Sequence, residues 1–276
     1  MKGKTCIVTG ANSGIGRATA LGLATRGAHV IMACRDIHRS AAAQEAIKRE
    51  SGSDLVDLME LDLSSMENIR SFAKAFLDKY DRLDVLLNNA AVVPSIRKVT
   101  EDGYEAQIGV NHLGHFLLTN LLLERLKSSA PSRVVTVSSV MHVQSEIDFD
   151  NLQSENGYKT MDAYKQSKLA NVLFSMELAR RLEGTGVTSN CLHPGVVNTG
   201  IMRDLPFVLQ PLLKIAGLFM LQPSSGAETS LYVATAPELE EVTGRYFDKS
   251  KERSCSSKGR DEEVAKRLWE VSETLC

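Results

Sequence analysis

Short apolar, β-rich runs alternate along the chain with longer stretches in which apolar positions recur every three or four residues. "TCIVTG" (5–10) precedes a helical pattern from about Ile15 to Arg26, and "AHVIMACR" (28–35) precedes an alanine-rich one from Ser40 to about Ser51. "LVDLMELDL" (55–63) leads into "SMENIRSFAKAFLDKY", and "LDVLLNNAA" (83–91) into "DGYEAQIGVNHLGHFLLTNLLLERLKSS". "SRVVTVSSV" (132–140) is followed, after a loop, by the pattern that opens "AYKQSKLANVLF" at Ala163. "GVTSNCLHPG" (186–195) reads as a sixth strand and "GRYFD" (244–248) as a seventh. Strands alternating with helices predict βαβ units and a parallel sheet. Strands apolar on nearly every residue predict helices on both faces of it. The expected fold is therefore α/β, a Rossmann-type doubly wound sheet of about seven strands. With no linker, repeat or shift of composition, residues 1–276 are expected to form one dinucleotide-binding domain.

Composition narrows the class. The chain is 43% apolar and 24% charged with a net charge of −2, so nothing favours a nucleic-acid partner. Its five cysteines lack framework or CxxC spacing, and no histidine cluster has metal-ligand spacing. Reduced thiols and no metal are expected, and with them a cytoplasmic setting. No window reaches the roughly 18 apolar residues of a membrane span, although docking at the surface of an intracellular membrane such as the endoplasmic reticulum stays open.

The first strand ends in "VTGANSGIGRA". Gly10, Gly14 and Gly16 fall in the turn between strand and helix, where a dinucleotide fold needs a tight bend and a close backbone approach to pyrophosphate. The helix that follows offers unpaired N–H groups to the same anion. The second strand ends in "MACRD". An acid directly after this strand would bind a ribose 2′-hydroxyl, whereas an arginine accommodates a 2′-phosphate. Arg35 comes first and Asp36 second, with Arg39 and Arg17 within reach, so the expected cofactor is NADP(H).

Three polar features lie amid apolar surroundings. Ser138 and Ser139 end the fifth strand, at the sheet edge where ligands bind in open α/β folds. Tyr164 and Lys168 stand at i and i+4, about 6 Å apart along one helix face. Asn111 interrupts the apolar run "GVNHLGHF". Each alone is more often a cap, a surface residue or a satisfied core polar group.

Together they resemble the short-chain dehydrogenase/reductase superfamily in its compact type. The resemblance rests on "TGANSGIG" (9–16), "LDLSS" (61–65), "NNAA" (88–91), "GVNHLGHF" (109–116), "VSS" (137–139), "YKQSK" (164–168) and "HPGVVNTG" (193–200). It implies Tyr164 as the general acid toward a carbonyl, or base toward an alcohol, with Lys168 lowering its pKa and holding the nicotinamide ribose. Ser139 would polarise the carbonyl oxygen, and Asn111 would support a proton relay through water to Lys168. The resemblance further assigns Gly10, Ser13, Gly14, Ile15 and Gly16 to the pyrophosphate turn, beside the reading of Arg35 as the 2′-phosphate group from its place after the second strand. Asp62, Leu63 and Asn89 fall to the adenosine side, and Pro194, Gly195, Val197 and Thr199 to the nicotinamide. One departure stands out: Ala91 takes a position where the family usually has glycine.

The segment from about 201 to 228 is irregular and rich in Leu, Phe and Met. It is expected to cover an apolar substrate, with a homodimer contact or peripheral membrane docking as alternatives. "MACRD", "SKLANVLF" and "AKRLWEVSE" resemble the retinol dehydrogenase 11–14 subgroup, which implies NADP(H)-dependent interconversion of retinal and retinol or of related lipid aldehydes. Many members of that subgroup carry an apolar N-terminal anchor, which this sequence does not contain. A steroid or other carbonyl reductase, and a non-catalytic NADP(H) sensor or scaffold, are the competing readings.

Overall fold

The structure, a computed structural model, describes residues 1–195 and 223–276. Its strands are β1 (Thr5–Thr9), β2 (His29–Cys34), β3 (Val56–Glu60), β4 (Val85–Asn88), β5 (Ser132–Val137), β6 (Val187–His193), β7 (Tyr246–Asp248) and β8 (Lys251–Arg253). They form one sheet in the order β3-β2-β1-β4-β5-β6-β7-β8, parallel except for the β7–β8 pair. This is the expected doubly wound arrangement with one strand more. β8 is short, charged and exposed, and it closes a hairpin through Lys249 and Ser250, both at positive φ. A three-residue charged edge carries no apolar alternation for a sequence pattern to register, and its charges discourage further strand pairing.

Helices α1 (Gly14–Thr25) and α2 (Ile37–Ser51) cover one sheet face together with α8 (Pro223–Thr235). The other face is covered by α3 (Met66–Lys79), α5 (Gly114–Leu121), α6 (Leu123–Ser128) and α7 (Thr160–Arg181). α9 (Glu262–Leu275) packs on α7 from outside. Ile7, Ile31, Leu86 and Val134 point to the second face, and Cys6, Val8, Met32 and Leu87 to the first, following the two-residue period of the strands.

Two helices depart from the pattern. α2 begins three residues before Ser40, because the Asp36 carboxylate caps it by accepting from the Arg39 N–H at 2.9 Å. The long stretch 102–129 is not one helix. α4 (Ala106–Ile108) passes through a π-turn at Gly109–Leu113 into α5, which breaks again at Leu122 before α6. The π-turn puts an extra residue into the helix at Asn111.

Candidate active site

The carboxyl ends of β1, β2, β3, β4, β5 and β6 share one edge, and strand order reverses between β1 and β4. A crevice opens where helices leave a sheet to opposite sides, and ligands of this architecture bind there. The glycine turn fills its floor. Gly10 and Gly14 have φ of +66° and +54°, conformations that side chains resist. A Cβ on Gly16 would stand 2.3 Å from the Gly10 carbonyl oxygen and 2.6 Å from Asn89 Nδ2. The turn is therefore as tight as a backbone can make it. Ser13 precedes α1 without a side-chain hydrogen bond to it, which leaves the leading N–H groups, beginning at Gly14 and Ile15, uncapped by that hydroxyl. These features fit a dinucleotide pyrophosphate.

Thr9 holds this floor to β4. Its hydroxyl oxygen accepts from the N–H groups of Asn89 (2.8 Å) and Ala90 (2.9 Å), and Asn89 Nδ2 donates to the Thr9 carbonyl at 2.8 Å. Ala91 is not among the positive-φ residues, so a methyl group sits there without backbone strain. At the far end of the crevice Arg35 is exposed and joins no ion pair among the described residues. Arg17 reaches Glu50 at 2.6 Å and Arg39 lies 4.0 Å from the capping Asp36. Asp62 folds onto its own loop, its Oδ1 accepting from the Ser64 N–H and hydroxyl at 2.9 and 2.7 Å. Leu63 is buried against Gly114, where a Cβ would come within 2.7 Å of the Leu63 carbonyl.

The polar residues predicted for chemistry gather at the neighbouring ends of β5 and α7. Lys168 is wholly buried, and its Nζ donates to the Val137 carbonyl at 3.1 Å, two residues before Ser139. The ammonium lies 5.8 Å from the centre of the Tyr164 ring. Ser138 Oγ donates to the Lys168 carbonyl at 2.7 Å, so strand end and helix are stitched in both directions. Ser139 Oγ accepts from the Met141 N–H at 3.2 Å and caps a single 3₁₀ turn, Val140–Gln144.

Asn111 enters from the π-turn. Its Oδ1 accepts from the Val92 N–H at 2.8 Å, and its Nδ2 donates to Ser167 Oγ at 3.1 Å, beside Lys168. Its carbonyl accepts from His115 Nδ1 at 3.1 Å, and His115 Nε2 lies 2.9 Å from Thr9 Oγ1. Since Nδ1 is the donor, Nε2 accepts a hydrogen bond from the Thr9 hydroxyl. One histidine thus joins the cofactor floor to the π-turn. Pro194 and Gly195 (φ +87°) follow β6 on the same edge. Val197, Thr199 and residues 201–222 lie outside the described residues, while 223–228 belong to α8.

Burial dominates the electrostatics. It pushes the Tyr164 phenol above its usual range, with the Ser139 hydroxyl pulling the other way. It also lowers Lys168 to about 8. The sequence implies a phenol made acidic by its lysine. In the folded protein burial instead moves that phenol toward its neutral form, and the Ser139 hydroxyl only partly offsets it. Thr9, His115, Ser167 and His142 were not singled out from the sequence. Each makes at least one hydrogen bond far along the chain, Thr9 to Asn89 and Ala90, His115 to Thr9, Ser167 to Asn111 and His142 to Ser256, a relation that no local spacing encodes.

Sheet order, the glycine floor and a half-buried Tyr164 beside buried Lys168 and Ser139 are the features of a dinucleotide-fold oxidoreductase that works on a carbon–oxygen centre with a nicotinamide cofactor. Residues 4–206 match the model of the short chain dehydrogenase family, and the chain belongs to that family. It is 49% identical over 291 residues to retinol dehydrogenase 14 of Homo sapiens, covering 100% of this chain and 87% of that protein. Among solved structures, an uncharacterized protein from Mycobacterium Paratuberculosis superposes with a TM-score of 0.80 at 37% identity, over 99% of this chain and 93% of that one. The RhlG/NADP active-site complex of Pseudomonas aeruginosa has a TM-score of 0.71 at 27% identity, over 90% of this chain and 94% of that one. The resemblance to the retinol dehydrogenases stated from motifs alone is thus matched along the whole chain.

Proposed function

We propose that the protein is an NADP(H)-dependent retinal reductase/retinol dehydrogenase, acting on retinoids or related lipid aldehydes and alcohols. The observation that carries the chemistry is the placing of Lys168, anchored on the Val137 carbonyl, 5.8 Å from the Tyr164 ring, with the Ser139 hydroxyl beside that phenol, at the end of the strand next to the glycine-floored crevice. Bound there, the nicotinamide supplies or accepts the hydride. Gly10, Gly14 and Gly16 with the first turn of α1 hold the pyrophosphate, Arg35 the 2′-phosphate, Asp62, Leu63 and Asn89 the adenosine side, and Pro194 and Gly195 the nicotinamide side.

The chain's own groups handle the proton. Ser139 Oγ already accepts from Met141, so its hydrogen is free to be donated to a substrate carbonyl oxygen. The neutral Tyr164 hydroxyl delivers the proton to that oxygen in reduction and removes it in oxidation. Lys168 spends one of its three N–H donors on Val137, leaving two for the ribose and for stabilising phenolate once it forms. Asn111, linked through Ser167 to the same helix, frames the route by which Lys168 is reprotonated.

Two observations support an apolar substrate. Val140, Val143 and Met161 are exposed although large and apolar, and they flank Ser139 and Tyr164 in the chain. The relative named retinol dehydrogenase 14 acts, by its name, on such a molecule. The test is NADPH oxidation with retinal, a steroid ketone and a short aldehyde, repeated with NADH. Retinal turnover with NADPH is expected, and Tyr164→Phe is expected to reduce it by more than about 10³-fold while leaving the NADPH Kd unchanged. Near-wild-type activity in Tyr164→Phe would remove the phenol from the mechanism, and tight NADPH binding without turnover on any substrate would make the protein a cofactor-binding sensor.

A further inference from the structure

His142 is wholly buried three residues after Ser139, and the mechanism above does not use it. Both ring nitrogens are engaged. Nε2 lies 3.2 Å from the Ser256 backbone nitrogen, and Nδ1 lies 2.7 Å from the Ser139 carbonyl oxygen. A backbone N–H can only donate and a carbonyl can only accept, so Nε2 is bare and Nδ1 carries the proton. The ring is therefore neutral with one fixed tautomer. The ring packs against Tyr246 at 5.0 Å between centroids, tilted by 57°.

The far anchor is itself rigid. Ser256 Oγ accepts from the Gly259 N–H at 3.0 Å, and Gly259 lies so close to α7 that a Cβ there would stand 3.0 Å from Val172 Cγ1. The near anchor is the main chain of the residue that presents its hydroxyl to the substrate. A rigid side chain thus spans from a segment seated on the Tyr164 helix to the Ser139 carbonyl.

We propose that His142 is a positioning residue for carbonyl polarisation: it fixes the Ser139 main chain against a segment that is itself packed on the helix carrying Tyr164. This rests on the assignment of Ser139 as the group that polarises the carbonyl. Without the clamp the Ser139 carbonyl keeps only the His142 backbone N–H at 3.1 Å, the tie of the 3₁₀ turn to the Ser256 segment is lost, and a shift of that turn carries with it the Met141 N–H that orients the Ser139 hydroxyl. Displacement of a polarising group by about 1 Å costs on the order of 10²-fold in rate.

Two near-isosteric variants separate the ends of the clamp. In His142→Asn the amide nitrogen stands where Nδ1 stood and still donates to Ser139. In His142→Gln the amide reaches the Nε2 position and serves Ser256 but not Ser139. Turnover of retinal with NADPH is expected to fall less than about 3-fold in His142→Asn and about 10- to 100-fold in His142→Gln, with the NADPH Kd unchanged in both. In a Ser139→Ala background the glutamine variant is expected to add less than about 2-fold, because the group it misplaces is gone. Equal losses in the two variants, tracking thermal midpoint, would make His142 a packing residue and overturn the proposal. So would an undiminished glutamine effect in the Ser139→Ala background. If Ser139→Ala alone keeps wild-type turnover, it is the underlying Ser139 assignment that fails, in an arm read separately. Nitrogen-15 NMR of the folded wild type adds a readout independent of turnover: a protonated Nδ1 and bare Nε2 are required, and the reverse tautomer rules the clamp out.

Discussion

Arg35 stands exposed just past β2, and its neighbours Arg17 and Arg39 each lie against a carboxylate. If it holds a 2′-phosphate, Arg35→Ala loses a charge-assisted contact worth about 1.5–3 kcal/mol. The preference for NADPH over NADH, measured as the ratio of kcat/KM, is then expected to fall about ten- to a hundredfold. An unchanged ratio would show that Arg35 does not read the phosphate. Single residues were also where the sequence spoke most unevenly. Tyr164, Lys168, Ser139 and the glycines were legible because their roles need a residue type at a spacing: one helical turn, a strand end, a tight bend. The direction of the phenol's shift was not legible, since it depends on how much water the folded site excludes. Nor were the clamps. Thr9 ties β1 to the peptide after β4, about eighty positions later, and His115 ties it to the π-turn. Such bonds exist only once the sheet has brought the strands together.

The helix bearing Asn111 shows what an element can hold that its amphipathic pattern hides. Its apolar period reads as continuous, yet the π-turn at Gly109–Leu113 interrupts it, and two buried histidines brace the interruption. His112 lies 2.9 Å from Ser272 Oγ on α9, and His115 bridges Asn111 and Thr9. Burial lowers their pKa values to about 3 and about 4, with the partial charge of His115 adding to the effect on His112. In the unfolded chain both titrate near 6.5. Above that pH neither state binds a proton there, and the two histidines leave stability unchanged. As pH falls below 6.5 the unfolded chain takes up protons that the folded one refuses, so stability drops by up to about 1.4 kcal/mol per pH unit for each histidine. Glu105, whose pKa burial raises, works in the opposite direction. Urea unfolding at pH 7.5 and 5.5 is expected to show the loss, with part of it removed in His115→Gln and the rest left to His112 and to His142 and His193, which burial also lowers. Equal stability at the two pH values would contradict neutral burial of the pair. At this scale the parallel strands were legible from their apolar runs, and β8 was missed because it buries nothing.

For the molecule as a whole, α9 ties the two active-site helices together. It buries Ala265, Leu268, Trp269 and Ser272, spaced i, i+3, i+4 and i+7, beneath a cap in which Asp261 accepts from the Val264 N–H at 3.0 Å. Trp269 is the centre of this contact. Its ring meets Phe116 of α5 edge-on at 4.8 Å and lies nearly parallel to Phe174 of α7 at 5.8 Å. The Arg181 guanidinium sits 4.3 Å from its centre, and Nε1 donates to Glu273 at 2.7 Å. α9 thus covers part of α7 and reaches α5 through the Trp269–Phe116 contact. Among the described residues no helix is long and apolar enough to cross a membrane. Because α5 follows Asn111 and α7 carries Tyr164 and Lys168, loosening this joint loosens the frame on which those groups are spaced. Trp269→Ala is expected to cost about 3–5 kcal/mol, as for other large-to-small core substitutions. The loss should appear in urea as a lower midpoint with an unchanged slope, the signature of one cooperative unit. A cost under about 1 kcal/mol, or a second transition in which α9 melts ahead of the sheet, would mean that the helix is an appendage and that the spacing of Asn111 and Lys168 is set without it.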